Sequence, residues 1–481
     1  MDLKYGINDA FTLDMILVPD FGQTKYDDQI LNLGPFEQEF NENRPFFTEG
    51  TDLFSKGNLV YSRRIGGIPT NSATVQTNEE IIDNPANTNL INALKISGRT
   101  KNGLGVGILN AVTEKTAAVI RNNDTQVVRK EIVEPLANYT VLVMDQRFRK
   151  NSSLAFVNTN VTRNGAFRDG NVSALVWDLN TKKNTYSLSG DFKYSYINAV
   201  EDKTGINSQL NFSETSGKFR YGIGADITTK DFDNNDLGIN FETNFYSFYG
   251  NTSYRILNPT KYFNSFNARI NTYSQFQKET GKIQSGNINF QINSNTKKNN
   301  YFGFGIDASP IETFNYYEAR TADRYVITPA EISAFVYISS NYNKPFAFDF
   351  NPSYAVFNEN GRNSYGFSAS PRYRFTGKLA INYTFDFLRK NNNKGYIDSI
   401  DDDMNAVTPN TIIFANRNVI TYSNTFSGKY ALNSRMTFNL SVRHYWSYAE
   451  NKNILSLQQN GRLTDYTGYT TNKNSSFYSW N

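Results

Sequence analysis

Polar and apolar residues alternate along most of the chain after about residue 90. In residues 286–295, GNINFQINSN, Ile288, Phe290 and Ile292 alternate with asparagine and glutamine. Because neighbouring side chains of a strand point to opposite faces, this period of two predicts a strand with one apolar and one amide-rich face. The same alternation recurs at residues 301–308, 345–350, 378–388 and 435–446.

Turn-forming clusters such as NTKKNN (295–300) and RKNNNKG (389–395) separate these runs. They define roughly 20 to 24 candidate strands, many of about 9 to 12 residues, which suits a tilted membrane-spanning strand and exceeds the globular average of about 5 to 6. No repeat typical of a propeller or a β-solenoid is present. The pattern predicts an all-β fold, a large antiparallel transmembrane β-barrel of about 22 to 26 strands when intact.

Composition narrows the class of protein further. The 481-residue chain is 15% aromatic, yet its mean hydropathy is −0.55, a pairing typical of barrels with an apolar exterior and a polar lumen. Its 49 basic and 45 acidic residues form no basic stripe, which argues against a nucleic-acid partner. It has no cysteine, which excludes disulfides and thiol chemistry. No apolar run approaches the roughly 20 residues of a membrane helix.

Residues 20–57 interrupt the alternation with an acidic, turn-rich sequence. A barrel of about 22 strands has a lumen wide enough to hold a plug. We therefore expect one barrel domain over residues 1–481, with residues 20–57 folded inward as a partial plug. A long ordered surface loop is the alternative.

Seven sequence blocks resemble the signature of one protein family. They are LVPDFGQ (17–23), NRPFFTEG (43–50), LVYSRRIGG (59–67), KISGRTKNGLGVGILNAVT (95–113), EPLANY (134–139), NNDLG (234–238) and VRHYWS (442–447). The blocks are similar to those of an outer-membrane β-barrel family of unknown function in Gram-negative bacteria. This resemblance covers essentially the whole chain and implies a location in the bacterial outer membrane, surrounded by lipid.

The family's barrel usually follows a β-sandwich that resembles family-nine carbohydrate-binding modules. The resemblance therefore makes carbohydrate and other outer-membrane proteins candidate partners. Neither a signal peptide nor such a module precedes this sequence, and the family usually continues past NSSFYSWN (474–481). We expect a chain truncated at both ends, with edge strands that lack a partner.

Four charged residues near the predicted plug are the main candidate site. Arg44, Glu49, Arg63 and Arg64 would be costly on a lipid-facing surface, so they are expected in the lumen or at its rim. An ion pair from Arg44 or Arg63 to Glu49 would pin the plug to the wall. Arg63 and Arg64 would alternatively form a basic constriction that selects anionic or polyhydroxylated solutes. The two roles are compatible.

A second, weaker candidate is an acidic cluster. Asp398, Asp401, Asp402 and Asp403 offer oxygen ligands for a weak calcium loop, but they lack the glycine and glutamate of an EF-hand. A solvated extracellular loop is the favoured interpretation.

Two further motifs are assigned structural roles. GLGVG (103–107) lacks the spacing of a phosphate-binding loop, and its glycines are expected to permit close approach of the plug. His444 is the one histidine, and Val442 and Trp446, two residues away on the same face, offer no hydroxyl for catalysis.

The residues therefore nominate no catalytic set, no cofactor and no structured metal centre. The predicted function is passage or docking of solutes, with glycans as candidates, at the bacterial cell surface. The alternatives are a non-transporting anchor or assembly component and a surface hydrolase acting on carbohydrate.

Overall fold

The structure is a computed structural model that describes residues 2–17, 27–400, 411–470 and 473–481. Strands dominate it, with one short helix, α1 (Pro45–Thr48), and two 3-10 turns at Lys56–Asn58 and Ser62–Arg64. The strands are β1 (Asp2–Asn8), β2 (Phe11–Leu17), β3 (Glu79–Asp83), β4 (Leu90–Arg99), β5 (Leu104–Thr113), β6 (Thr116–Asn122), β7 (Val128–Glu134), β8 (Ala137–Phe148), β9 (Ser152–Arg163), β10 (Asp169–Asn180), β11 (Tyr186–Asn198), β12 (Lys203–Glu214), β13 (Phe219–Thr228), β14 (Phe245–Ile256), β15 (Phe263–Gln277), β16 (Ile283–Thr296), β17 (Tyr301–Ser309), β18 (Thr313–Asn315), β19 (Val326–Thr328), β20 (Glu331–Ser339), β21 (Phe346–Phe357), β22 (Asn363–Arg374), β23 (Leu379–Ile400), β24 (Thr411–Ala431), β25 (Thr437–Leu457), β26 (Leu463–Asp465) and β27 (Ser475–Trp480).

One sheet contains 22 of the described strands. Strands β3, β6 and β7 form a separate three-stranded sheet, and β18 pairs with β19 in a small hairpin. The prediction of an all-β fold built on a large antiparallel sheet is therefore confirmed. Within the described part of the chain, no helix is both long and apolar enough to cross a membrane.

The chain divides into two compact units. The first comprises Met1–Lys25, Phe40–Thr215 and Gly224–Tyr246, and the second comprises Tyr26–Glu39, Ser216–Ile223 and Ser247–Asn481.

In the first unit, long strands pair with their neighbours in an antiparallel meander. The pairing runs in the order β1, β2, β4, β5, β8, β9, β10, β11 and β12. Along β8, the buried side chains of Tyr139, Val141 and Val143 alternate with Leu142 and the exposed Met144. This part of the sheet therefore has one buried face and one exposed face.

Residues 45–65 cover the buried face of the first unit. Six of their apolar side chains share one core with side chains of β5, β8, β9 and β10, and each is less than a tenth exposed: Phe46, Phe47, Leu53, Phe54, Leu59 and Ile65. Removal of this apolar surface from water holds the segment on the sheet. Of the predicted plug, residues 20–26 lie outside the described residues, and residues 27–39 belong to the second unit.

Two glycines of GLGVG permit this close packing. A Cβ at Gly107 would lie 3.2 Å from the Phe54 ring, and one at Gly105 would lie 2.8 Å from a methyl group of Leu53. The close approach predicted for these glycines is present, with residues 53–54 as the approaching segment.

In the second unit, β15, β16, β17, β20, β21, β22, β23, β24, β25 and β27 pair in a second antiparallel meander. In β16, Ile288 is 48% exposed, whereas Asn289 accepts a hydrogen bond from Asn271 at 2.8 Å and donates one to Asp307 at 2.9 Å. The predicted division of this strand into an apolar and an amide face is therefore present, and the amide face forms a ladder across three strands.

Aromatic rings form a continuous row on the apolar face of β22 to β25. Ring centroids are 6.1 Å apart for Tyr365 and Phe387, 5.3 Å for Phe387 and Tyr422, and 5.6 Å for Tyr422 and Trp446. Offset and tilted contacts at such distances stabilise the pairing of neighbouring strands.

We predict that Gly107→Val destabilises the first unit, because the added side chain meets Phe54 in an already filled core. Overpacking of this kind costs about 1–3 kcal/mol, measurable as a lower urea midpoint of unfolding. Gly6→Val is the matched control, since nothing lies within 4 Å of a Cβ at Gly6. Equal midpoints for the two variants would contradict this account of the packing.

Candidate functional site

Arg44 fixes the start of the segment that covers the sheet in the first unit. Its guanidinium is buried and donates to both carboxylate oxygens of Glu42, at 2.8 and 2.7 Å, and to the carbonyl oxygens of Ile65 and Ser62, each at 2.7 Å. It also lies 4.3 Å above the Phe47 ring centroid. Burial alone would raise the pKa of Glu42, but the hydrogen bonds and charge of Arg44 outweigh it and lower the pKa.

The other three predicted charges have separate roles. Glu49 forms its ion pair with Lys4, at 2.6 Å. Arg63 donates to the carbonyl oxygen of Asn41, at 2.7 and 3.0 Å. Among the described contacts, Arg44 pairs with Glu42 and Glu49 pairs with Lys4, in place of the ion pair expected between an arginine and Glu49.

Arg64 donates to the carbonyl oxygen of Gly238 at 3.1 Å. Its guanidinium lies 5.7 Å from the Tyr61 ring centroid. The side chain thus ties the segment to residues 231–238, whose Phe232 and Leu237 belong to the same buried core. A role of Arg63 and Arg64 in solute selection stays a prediction.

A buried charge network next to this segment was missed by sequence reasoning. Arg163 donates to Glu134 at 3.0 Å and to Asp236 at 2.7 Å, and all three side chains are at most 5% exposed. Arg168 extends the network to Asp236 at 2.7 Å and to Asp233 at 2.8 Å. Charges this far from water are tolerated because each is paired and hydrogen-bonded.

The acidic cluster is only partly described. Asp398 accepts a hydrogen bond from the Tyr469 hydroxyl at 2.9 Å and pairs with Lys473. Asp401, Asp402 and Asp403 lie outside the described residues, so the calcium loop stays a prediction. Among the described residues, no group of three or more histidine, aspartate or glutamate side chains is placed to hold a metal ion.

Two neighbouring cavities lie on the polar face of the second unit, each of about 560 Å³. They share Ile327, Arg362 and Lys394 in their linings. Volumes of this size are typical of sites for small organic molecules.

Long strands and the loop between β18 and β19 build these cavities. Strands β23, β24 and β25 are 21 or 22 residues long, and the ends near residues 391–400, 411–419 and 449–457 pair with one another. Ala319 and Val326 pack against Phe414 and Leu455 of these ends in a small buried core. The loop thus closes one side of the cavities.

The loop also contributes a carboxyl group, that of Glu318, to the cavity that Arg417 lines. Burial raises the pKa of Glu318, although the hydrogen bond from the Tyr396 N–H and the charges of Arg417 and Arg320 act in the opposite direction. Arg320 itself lies 4.5 Å over the Tyr396 ring and donates to the carbonyl oxygens of Leu33 and Gly34. This places residues 30–34 at the edge of the cavity that they help to line.

Five of the seven sequence blocks named above contribute to the core of the first unit, whereas VRHYWS (442–447) lies in the second unit. Phe46, Leu59, Tyr139 and Leu237 come from four different blocks and share one buried core. A family model described as Domain of unknown function (DUF5916) matches residues 1–481. The chain belongs to this family. No curated protein matches the DUF5916 chain.

Among solved structures, the DUF5916 chain is similar to a protein described as the ferric citrate transporter FecA in the unliganded form. The sequence identity is 9% and the TM-score is 0.32. The match covers 79% of the DUF5916 chain and 59% of the transporter chain. At this TM-score the likeness carries no inference about function.

We predict that Glu134→Gln strongly destabilises the DUF5916 chain, because Arg163 loses one of its two buried carboxylates. Breaking a buried pair costs on the order of 3 kcal/mol, which the urea midpoint of unfolding will show.

Glu312→Gln is the matched control for this variant. Glu312 pairs with Arg462 at 2.7 Å, but both side chains are about half exposed, and exposed pairs contribute little to stability. A Glu134→Gln midpoint as high as that of the control would contradict the structural role of the network.

Proposed function

We propose that this protein is an outer-membrane β-barrel that passes or docks solutes at the bacterial cell surface. The observation that carries the proposal is the exposed apolar face of the strands. In β21, Phe346, Phe348 and Phe350 are 53%, 39% and 36% exposed, while Ala347 between them is 2% exposed. A face of this kind needs an apolar surrounding, and lipid supplies it.

The same face is apolar in strands of both units. In the first unit its exposed side chains include Leu154, Phe156, Leu175, Phe192, Tyr194 and Leu210. The aromatic row from Tyr365 to Trp446 resembles the rings that barrels place at the membrane interface. Soluble proteins rarely expose contiguous apolar patches larger than a few hundred Å², so repetition along so many strands favours the membrane.

The polar face and its cavities support a role with solutes. The amide ladder of Asn271, Asn289 and Asp307 shows how polar side chains satisfy one another on that face. Carbohydrate is the candidate solute class suggested by the module that usually precedes this family. The alternative function is an anchor with a filled interior. The packing of residues 45–65 supports it, because their apolar side chains cover the buried face of the sheet in the first unit.

Phe348→Arg tests the membrane proposal. A charge on a lipid-facing site near mid-membrane costs about 2–4 kcal/mol, whereas an exposed site in water changes stability by about 0.5 kcal/mol or less. The full-length protein is folded in detergent, and the variant is expected to lower the temperature at which its fast-migrating band on cold SDS gels is lost.

Ile311→Arg is the control, because Ile311 is 49% exposed and lies outside the strands. The proposal is wrong if the unboiled protein shows no mobility shift, or if both variants leave the transition unchanged.

Conductance in planar bilayers separates passage from anchoring. We expect stepwise current increases on insertion of the full-length protein, because a solute path needs continuous water. Insertion confirmed by protease protection but without current would favour the anchor instead.

A further inference from the structure

Of the two cavities of the second unit, the one lined by Arg417 has an excess of basic side chains. Four cationic groups line it: Arg362, Lys390, Lys394 and Arg417. Two carboxyl groups, those of Glu318 and Glu331, line it as well. With all groups in their ordinary charged forms, the lining carries a net positive charge.

Two of the four cations already have a carboxylate partner. Glu359 pairs with Arg362 at 3.0 Å and with Lys394 at 3.2 Å. This carboxylate belongs to the lining of the neighbouring cavity. The pairing leaves Lys390 and Arg417 as the cations that line the first cavity without an ion-pair partner among the described residues.

Arg417 is the more informative of the two, because it is only 6% exposed. Its Nε donor is buried and has no acceptor among the described residues, and the same is true of the Nε of Arg362 in this lining. A buried donor without an acceptor destabilises the folded chain, and more so when it is charged. Such a group calls for an explanation, and a bound ligand is one that would supply the missing acceptor.

The backbone holds Arg417 in this position. A Cβ at Gly395 would collide with the Arg417 guanidinium, so glycine on the neighbouring strand makes room for it. Arg417 pairs with Asn393 across the ladder, and Lys390 pairs with Val419, two residues from Arg417 and therefore on the same face. The two cations thus point to one side of the sheet.

We propose that this cavity binds an organic anion, with the guanidinium of Arg417 and the ammonium of Lys390 holding its oxyanion group. A cavity of about 560 Å³ is larger than an inorganic ion needs. Its lining adds apolar surface from Phe357, Leu388 and Val419 beside the cations. Arginine is suited to a carboxylate because its planar fork donates two parallel hydrogen bonds. The inference names the solute class of the proposed function and rests on it.

Binding of trigalacturonate to the full-length protein in detergent tests the proposal by calorimetry. We expect trigalacturonate to bind and neutral maltotriose not to bind. Arg417→Gln and Lys390→Gln should each weaken binding about tenfold or more, which corresponds to loss of a hydrogen bond to a charged group. Lys429→Gln is the matched control, because Lys429 lies exposed on the same strand, β24, and lines neither cavity.

Inorganic phosphate distinguishes the two sources of an oxyanion. Phosphate binding as tight as that of trigalacturonate, and equally sensitive to Arg417→Gln, would overturn the assignment to an organic anion. Equal binding of maltotriose, or unchanged binding in both cavity variants, would overturn the cavity assignment itself.

Mobility on cold SDS gels is recorded for the same samples. A normal mobility shift of the unboiled band without anion binding would contradict the anion inference and leave the barrel proposal unaffected. Trigalacturonate binding without any mobility shift would contradict the barrel proposal but would still support the assignment of the anion to this cavity. Lys390 is exposed, so Lys390→Gln is expected to fold. This variant keeps the proposal testable if Arg417→Gln fails to fold.

Discussion

Every strand of this protein has two faces, and each face needs surroundings that suit it. Neighbouring strands satisfy the backbone hydrogen bonds of a meander, but they do nothing for side chains above and below the sheet. In the first unit, residues 45–65 bury one face with their own apolar side chains. In the second, amide side chains bond across strands on the polar face. The opposite face is apolar and exposed in both.

When a segment of the chain covers one face of the sheet, charged side chains are buried together with the apolar ones. The segment in the first unit carries Arg44, whose charge is met by Glu42 and by two backbone carbonyl oxygens. Next to it, Arg163 lies between Glu134 and Asp236. Both arginines find their hydrogen-bond and ion-pair partners within the chain, so their role is to stabilise the packing of the segment on the sheet. Arg417 differs because it is only 6% exposed and has no ion-pair partner among the described residues, and its Nε has no acceptor there either.

Local pattern predicted much of the fold. The two faces of β16 follow from alternation within ten residues, and the closeness of residues 53–54 to Gly105 and Gly107 follows from the lack of side chains there. The network of Arg163 was not predictable in this way. Its partners lie 29 and 73 residues away along the chain, and no periodicity marks a contact made through the interior. Glu134 and Asp236 do fall within two of the family blocks, which was the one available signal.

The lengths of β23, β24 and β25 explain where the cavities of the second unit arise. A tilted strand needs about 9–11 residues to cross a membrane, and these strands have about twice that number. If the aromatic row of Tyr365 to Trp446 marks the edge of the lipid, the far ends of the three strands continue into water. In water, these strand ends no longer need an apolar outer face. Their inner face must be covered by a segment other than the strands of the sheet. The loop between β18 and β19 supplies that cover through Ala319, together with Val326 at the start of β19. Because a loop covers such a face less completely than a strand would, space remains beneath it, and charged residues such as Arg417 and Lys394 line that space.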